Sequence, residues 1–584
     1  MSRIGTIGKS LVTAAFLIAL AAPPAGAGVI EPVMEDALRN LPEGETVPVI
    51  LTLADRVDPD RFRGRGNRAA LVRALQEKAD RAQPPLQARL RSRGIGATVR
   101  LWAINGLAFS AQPETVRELA AMPGVERIGL DALLKKPEPE PEPEPVPEAV
   151  PEWNLIAIGA PELWALGNTG SGTVVAGLDT GVDVMHPDLA GNWREGANSW
   201  YDPNGEHAAP YDPFGHGTQT MGLAVGGSAG GTSIGVAPGA SWIAVKIFND
   251  AGYASLSGIH QGLQWLLDPD GDLSTDDAPD VVLNSWGIPG TAGECFTEFE
   301  IDLALLRAAE IAVVFAAGND GPDAGTSSSP ANNSGSFAAG AVNEAQNLSY
   351  TSSRGPSACD ASIYPEVVAP GEAVRTSDLS FGGAIPDPYA TVSGTSFAAP
   401  HVAGTMALLL SFYPGVTVDE LEQALTESAV DLGLEGPDND SGYGMIDAFA
   451  ASQRLLPASV CTDADGDGFF AEAGCGIPQD CDDGDAGVHP GAAETGFDGI
   501  DQDCNGYDLT IAVIRAEYAA RQDLLTVEAV SSLGPSADLM VVGYGNMKWD
   551  KKKEKWTLTV RRAGGNPGTI TVSGREGEIS APVQ

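Results

Sequence analysis

The sequence predicts an α/β protein built around a parallel sheet, with smaller modules on either side. Three observations carry this. Buried-type strands at 173–178, 243–248, 281–284 and 311–316 are separated by helical spacing, which favours a parallel sheet with helices on both faces. The 71 glycines and 42 prolines among 584 residues point to turns and loops and away from a coiled coil or helical bundle. A Pro/Glu run at 137–152 and an acid-rich, Cys-containing stretch at 461–508 cut the chain into modules.

Residues 1–27 read as an export signal: Arg3 and Lys9 are basic, 11–22 is apolar, and Ala25-Gly26-Ala27 is a small-residue cleavage site. The apolar run is too short to span a bilayer, and no later stretch approaches ~18 apolar residues. The expectation is a secreted, extracellular chain with no transmembrane segment once mature. Export makes the six cysteines disulfide formers. Among Cys461, Cys475, Cys481 and Cys504 all three pairings stay open.

Residues 28–136 alternate strand, helix, strand, helix, strand (47–53, 68–80, 97–109, 114–121, 125–130), a small α+β domain. Residues 137–152 hold seven Pro and six Glu in sixteen positions and read as an extended, self-repelling linker. Residues 153–456 are the α/β domain, and a helix is expected at 402–411. Residues 457–508 form the acidic segment. Residues 509–584, with alternating strands at 524–530, 539–543 and 556–560, read as a small β-sandwich.

Net charge is −43, which argues against nucleic acid or an anionic membrane as main partner. Cations are the natural counterpart. The acid is concentrated: 461–508 carry thirteen Asp/Glu and no Lys or Arg, whereas 509–584 carry ten basic and eight acidic side chains.

Parallel sheets place reactive groups at the carboxyl ends of strands. Val174-Val175-Ala176-Gly177-Leu178-Asp179-Thr180-Gly181 delivers a carboxylate where a buried strand meets a Gly turn. Phe214-Gly215-His216-Gly217-Thr218 sets an imidazole between glycines, and Ser393-Gly394-Thr395-Ser396 sets a hydroxyl at a turn before a helix. A serine needs a nearby base, and that base needs a carboxylate to fix its tautomer. The order Asp179, His216, Ser396 is one of the known chain orders of such a triad. Asn319, in Ala316-Ala317-Gly318-Asn319, ends a strand and could hold an oxyanion together with the Ser396 N–H.

These blocks give residues 153–456 a plain resemblance to the subtilisin-like serine proteases, and Asn284-Ser285-Trp286-Gly287 with Ser353-Arg354-Gly355-Pro356 resembles the bacillopeptidase F branch. The resemblance implies catalytic Asp179, His216 and Ser396, oxyanion donor Asn319, and Ser285, Trp286 and Gly287 along the substrate. It implies that 28–136 is a propeptide, both folding aid and inhibitor, cut near 134–152. It also implies a calcium site near Asp188, although the loop before Ile234 is short. The His block continues Gln-Thr-Met-Gly where many members have a second His and Val-Ala-Gly.

The acidic segment reads as a metal site. Asp463, Asp465 and Asp467 alternate around a Gly turn as in half an EF-hand, but position twelve is Gly474, not Glu. Asp480, Asp482, Asp483, Asp498, Asp501 and Asp503 offer further oxygens. The segment resembles short acidic repeats of secreted bacterial proteins, and hard oxygen ligands favour calcium. The function expected is a secreted, calcium-supported serine endopeptidase, made as a zymogen, acting on protein or peptide substrates, with no cofactor in its chemistry. Its rivals are a binding or adhesion protein with an inactive protease-like domain and a maturation protease with one partner.

Overall fold

The computed structural model describes residues 28–138, 140–141, 151–456, 463–471 and 479–584. The export signal expected at 1–27, and Cys461 and Cys475, lie outside them. The chain divides into two compact units. One runs to Asp58 and takes in Ala70–Leu133 and Ser255–His260; the other holds Pro59–Ala69, Leu134–Ala254 and Gln261–Gln584.

The first unit is a five-stranded sheet in the order Val29–Ile30, Val125–Leu130, Val47–Leu53, Gly106–Ala111, Val99–Leu101. Helices Pro32–Asn40, Arg68–Ser92 and Pro113–Ala120 accompany it. The alternating faces of Val47, Val49 and Leu51 and of Leu107 and Phe109 meet Met34, Leu90 and Leu119 in one apolar core. Two expectations change here. The second helix runs on to Ser92 through Pro84 and Pro85. The strand expected at 97–109 breaks into two, because Asn105 takes a left-handed φ of 50° in the turn between them.

In the second unit seven parallel strands lie in the order Val367–Pro370, Phe337–Val342, Ala312–Ala316, Val281–Asn284, Val174–Asp179, Ser241–Lys246, Trp200–Tyr201. Their Val, Ala, Leu and Ile side chains are buried on both faces, as a covered parallel sheet requires. The earliest strand, Val174–Asp179, is flanked by Ser241–Lys246 on one side and Val281–Asn284 on the other. The chain therefore reverses its direction of growth at Asp179, the place where open α/β sheets leave a crevice.

Helix Thr395–Phe412 starts earlier than expected and carries Ser396 in its first turn. Among the described residues it is the one helix long and apolar enough to cross a membrane, and 89% of that stretch is buried. A helix apolar all round is a core helix, and this one lies against the central strands. Within it His401 is fully buried; its Nδ1 sits 2.8 Å from the Phe397 carbonyl and its Nε2 2.8 Å from Asn154 Nδ2. Burial pushes this imidazole down to about 4.

Residues 512–582 form two four-stranded antiparallel sheets over a shared core of Ile511, Leu525, Val527, Trp556, Ile570 and Val572. This is the small β-sandwich expected. Cys295 is bonded to Cys359, and Cys481 to Cys504.

His401 yields a pH prediction. Its folded pKa lies below its unfolded value of ~6.5, so the unfolded chain takes up the proton first and stability drains as pH falls from ~6.5 to about 4. NMR of the Ser396→Ala protein should show His401 still neutral at pH 5; an imidazolium there would contradict the packing described.

Candidate active site

Asp179 ends the central strand, and its carboxylate is fixed before it meets any partner. The Thr180 N–H donates to Oδ1 at 2.7 Å. Both oxygens then face His216 Nδ1, at 2.8 and 2.9 Å. The pair is sealed from water, with His216 only 1% exposed. Such a grip sets the tautomer: Nδ1 carries the proton and Nε2 is the free basic nitrogen. Nε2 is buried and has no hydrogen-bond partner among the described residues.

The close approach depends on Gly217. A Cβ there would lie 2.1 Å from the Gly181 carbonyl oxygen and 3.0 Å from Asp179 Cβ, so any side chain would push the imidazole away from the carboxylate. Asp212, which no sequence motif singles out, holds the loop from below. Its Oδ1 accepts from the Phe214 and Gly215 N–H groups, and its Oδ2 from the Thr218 N–H and hydroxyl, at 2.8–3.0 Å. These donors open helix His216–Val225, where a carboxylate suits the helix dipole. Burial still pushes Asp212 up.

Ser396 lies in the first turn of its helix, where backbone N–H groups have no intrahelical acceptor. Its hydroxyl donates to the Ser285 carbonyl at 3.1 Å rather than to His216. Hydrogen bonds between catalytic groups are often loose without substrate. A return bond closes the pair: Ser285 Oγ donates to the Ser396 carbonyl at 2.7 Å. The carbonyl is available because residue 400, four further on, is a proline and brings no N–H.

Asn319 lies just beyond strand Ala312–Ala316. Its Oδ1 accepts from the Thr395 N–H and hydroxyl, both at 3.0 Å. With the oxygen held, the amide –NH2 is the group left free to donate, and Asn319 lines the same cleft as Ser396. Gly318 has φ 104°, the Tyr364 hydroxyl donates to the Ala317 carbonyl, and the Ser353 N–H donates to the Gly318 carbonyl at 2.9 Å. Thr395, Tyr364 and Ser353 are therefore supports that the motifs alone did not reveal.

A cleft of about 170 Å³ joins these groups, lined by Ser285, Trp286, Gly287, Asn319, Asp320 and Ser396 among others. Trp286 presents little surface; its ring packs edge-on to Phe299 and Phe315 in the core. The cleft is also lined by the chain's own residues 135–137. The Lys136 N–H donates to the Gly252 carbonyl at 2.9 Å, and its ammonium lies 4.9 Å over the Phe214 ring. A few residues on, Glu140 and Pro141 pair antiparallel with Ser393 and Val392, just before the turn that leads to Ser396.

Asp188 does not fit a cation. Its Oδ1 accepts from the Ala229 N–H and its Oδ2 from the Tyr389 hydroxyl, and the Arg375 guanidinium stands 4.2 Å over that ring. The acidic segment is different. Asp463, Asp465 and Asp467 converge, as do Glu494, Asp501 and Asp503. Of the other expected ligands, Asp480 lies beside Cys481 and Cys504, Asp483 accepts from the Ala464 N–H, Asp498 is occupied by Ile500 and Gln502, and Asp482 is exposed.

Residues 170–444 match the Subtilase family. Residues 480–508 match a metal-binding motif of the copper-binding MopE type. The chain is 36% identical over 420 residues to bacillopeptidase F of Bacillus subtilis (strain 168), covering 66% of this chain but 28% of that protein. It is 33% identical over 355 residues to subtilisin E of Bacillus subtilis (strain 168), covering 60% of this chain and 81% of that one. It is 31% identical over 344 residues to subtilisin-like protease 9 of Arthroderma gypseum (strain ATCC MYA-4604 / CBS 118893), covering 57% and 76%.

The Ser285–Ser396 pair gives a stability test. In a Ser396→Ala background, which keeps the carbonyl, Ser285→Ala should cost ~1–2 kcal/mol in urea unfolding by leaving a buried acceptor unpaired. Adding Pro400→Ala supplies an N–H, so the Ser285→Ala cost should fall by about half or more; an unchanged cost would mean that the carbonyl is satisfied elsewhere.

Proposed function

The chain belongs to the subtilase family, and on that premise we propose that it is a secreted serine endopeptidase that hydrolyses protein or peptide substrates through an acyl-enzyme on Ser396 and is made as a zymogen. One observation carries the reading: both oxygens of Asp179 grip His216 Nδ1, leaving a buried Nε2 without a partner in the unit that also places Ser396.

The chemistry derives from that geometry. As the Ser396 oxygen attacks the scissile carbonyl carbon, His216 Nε2 takes its proton. Asp179 stabilises the imidazolium that forms without accepting a proton itself. The carbonyl oxygen becomes an oxyanion, held by the Asn319 amide and the Ser396 N–H. His216 then gives its proton to the leaving amine, the C–N bond breaks, and water repeats the sequence in reverse to free the acid. Substrate would enter along Ser285, Trp286 and Gly287. Export rests on the 1–27 pattern and on the kinds of protein the chain resembles.

The zymogen reading is supported by residues 135–137 lining the cleft. Residues 28–136 would be the propeptide, inhibiting by keeping their own last residues in the substrate path until the chain is cut near 134–152. The acidic segment would hold a structural divalent cation, for which calcium suits the oxygen donors. The hydrolysis needs none.

Ser396→Ala should lower kcat by about a millionfold, the size known when subtilisin's serine is removed. It should also leave the chain uncut between 134 and 152 by intact mass. Retained hydrolysis would sink the triad; normal processing of the mutant would show that another protease cuts the linker. Asn319→Ala should cost kcat about 10²–10³-fold with little change in KM, again the size seen in a subtilisin. A loss confined to KM would place Asn319 on the ground state instead.

A further inference from the structure

The turn at 463–468 is closed by its own amides. The Gly466 and Gly468 N–H groups donate to the two oxygens of Asp463, at 2.6 and 3.1 Å. The Asp467 N–H donates to Asp465 Oδ1 at 3.2 Å, and the Phe469 N–H to Asp467 Oδ1 at 2.8 Å. Asp480 joins from the facing segment, where its N–H donates to the Phe470 carbonyl at 2.8 Å and its Oδ1 accepts from the Asp482 N–H at 2.9 Å.

The second oxygens are placed differently. Oδ2 of Asp465, of Asp467 and of Asp480 is buried, and none has a hydrogen-bond partner among the described residues. Asp480 as a whole is only 3% exposed. Burial and the neighbouring carboxylates push both Asp465 and Asp480 up. Residues 461–508 contain no Lys or Arg to compensate. Unpaired buried carboxylate oxygens are costly, and a cation is the partner that would satisfy several at once. An all-oxygen set suits a hard divalent ion, and Cys481, bonded to Cys504, has no thiolate to offer a soft one.

The two phenylalanines just after the turn give the ion a task. Phe469, the next residue but one after Asp467, is 8% exposed and belongs to the apolar cluster that contains the sheet and helix Thr395–Phe412. Phe470 packs against the same cluster, and the Phe469 ring stacks on His489 with centroids 4.7 Å apart.

We propose that calcium bound by Oδ2 of Asp465, Asp467 and Asp480, with Asp463 completing the turn, clamps Phe469 into the core of the protease and so stabilises the catalytic unit from outside its sheet. This rests on the reading of the acidic segment as a cation module. It adds that the upstream turn, outside the 480–508 match, completes the site, and that the protease core is what the ion supports.

The test uses the full chain with Ser396→Ala to prevent self-digestion. Calcium is titrated by calorimetry after chelation, and thermal unfolding is followed by the tryptophan signal. Saturating calcium should bind and raise the Tm of the catalytic transition by about 5 °C or more. Asp467→Asn and Asp480→Asn should each lose one bound calcium and at least half of that shift. Phe469→Ala should keep the calcium and lose the shift, and Asp501→Asn, in the other acidic group, should keep the shift. No calcium binding at all would overturn the cation-module reading and the proposal with it. Binding with a Tm shift indifferent to Asp467→Asn, Asp480→Asn or Phe469→Ala, or abolished by Asp501→Asn, would overturn the proposal and leave the module. A shift produced by copper and not by calcium would refute the hard-cation assignment.

Discussion

The buried contact between Asp179 and His216 is the constraint on which the rest of the site depends. A carboxylate at the end of a central parallel strand can be taken out of water only if something donates to it. Here the donors are Thr180 N–H and His216 Nδ1. Bringing a helix start that close requires glycine at 217, a loop tied down by Asp212, and a sheet whose order reverses at this strand. The energetics reward completeness: removing one partner of a buried pair leaves an uncompensated charge, far worse than never having had the pair.

The same logic runs through the other half of the cleft. Pro400 interrupts the ladder of helix Thr395–Phe412 and frees the Ser396 carbonyl, which Ser285 then occupies. This couples the strand end at Ser285 to the helix that carries Ser396. Asn319 is oriented by Thr395 of that helix, not by a neighbour on its own loop. Each reactive group is thus held by a residue from a different element, which is why all of them sit at strand ends and helix starts.

Much of this was legible. The Val174–Asp179 strand, the α/β alternation, the β-sandwich and the four motif blocks could be read because they rest on local spacing and on glycines with fixed tasks. Asp212, Thr395 and the hydroxyl of Ser285 could not, since their partners depend on contacts between loops and helix starts that spacing does not encode. The strand expected at 97–109 failed on one left-handed residue, Asn105, and the late helix start at 402 ignored that a proline is tolerated in a helix when its orphaned carbonyl finds another donor. Asp188 illustrates the limit of resemblance: the carboxylate is present, yet Tyr389 and Ala229 use both oxygens. Buried carboxylate oxygens lacking partners among the described residues do occur in the appended acidic segment, where none of the carboxylates at 463–467 could be ranked by sequence alone.

The proposed function stands on Ser396 as a nucleophile activated by His216, which Asp179 holds. The most direct measurement is labelling with an organophosphorus reagent that reacts only with activated serines, followed by peptide mass spectrometry. A single adduct is expected, on Ser396, with a rate of formation that collapses in His216→Ala. Adducts on another serine, or labelling of Ser396 at an equal rate without His216, would contradict it.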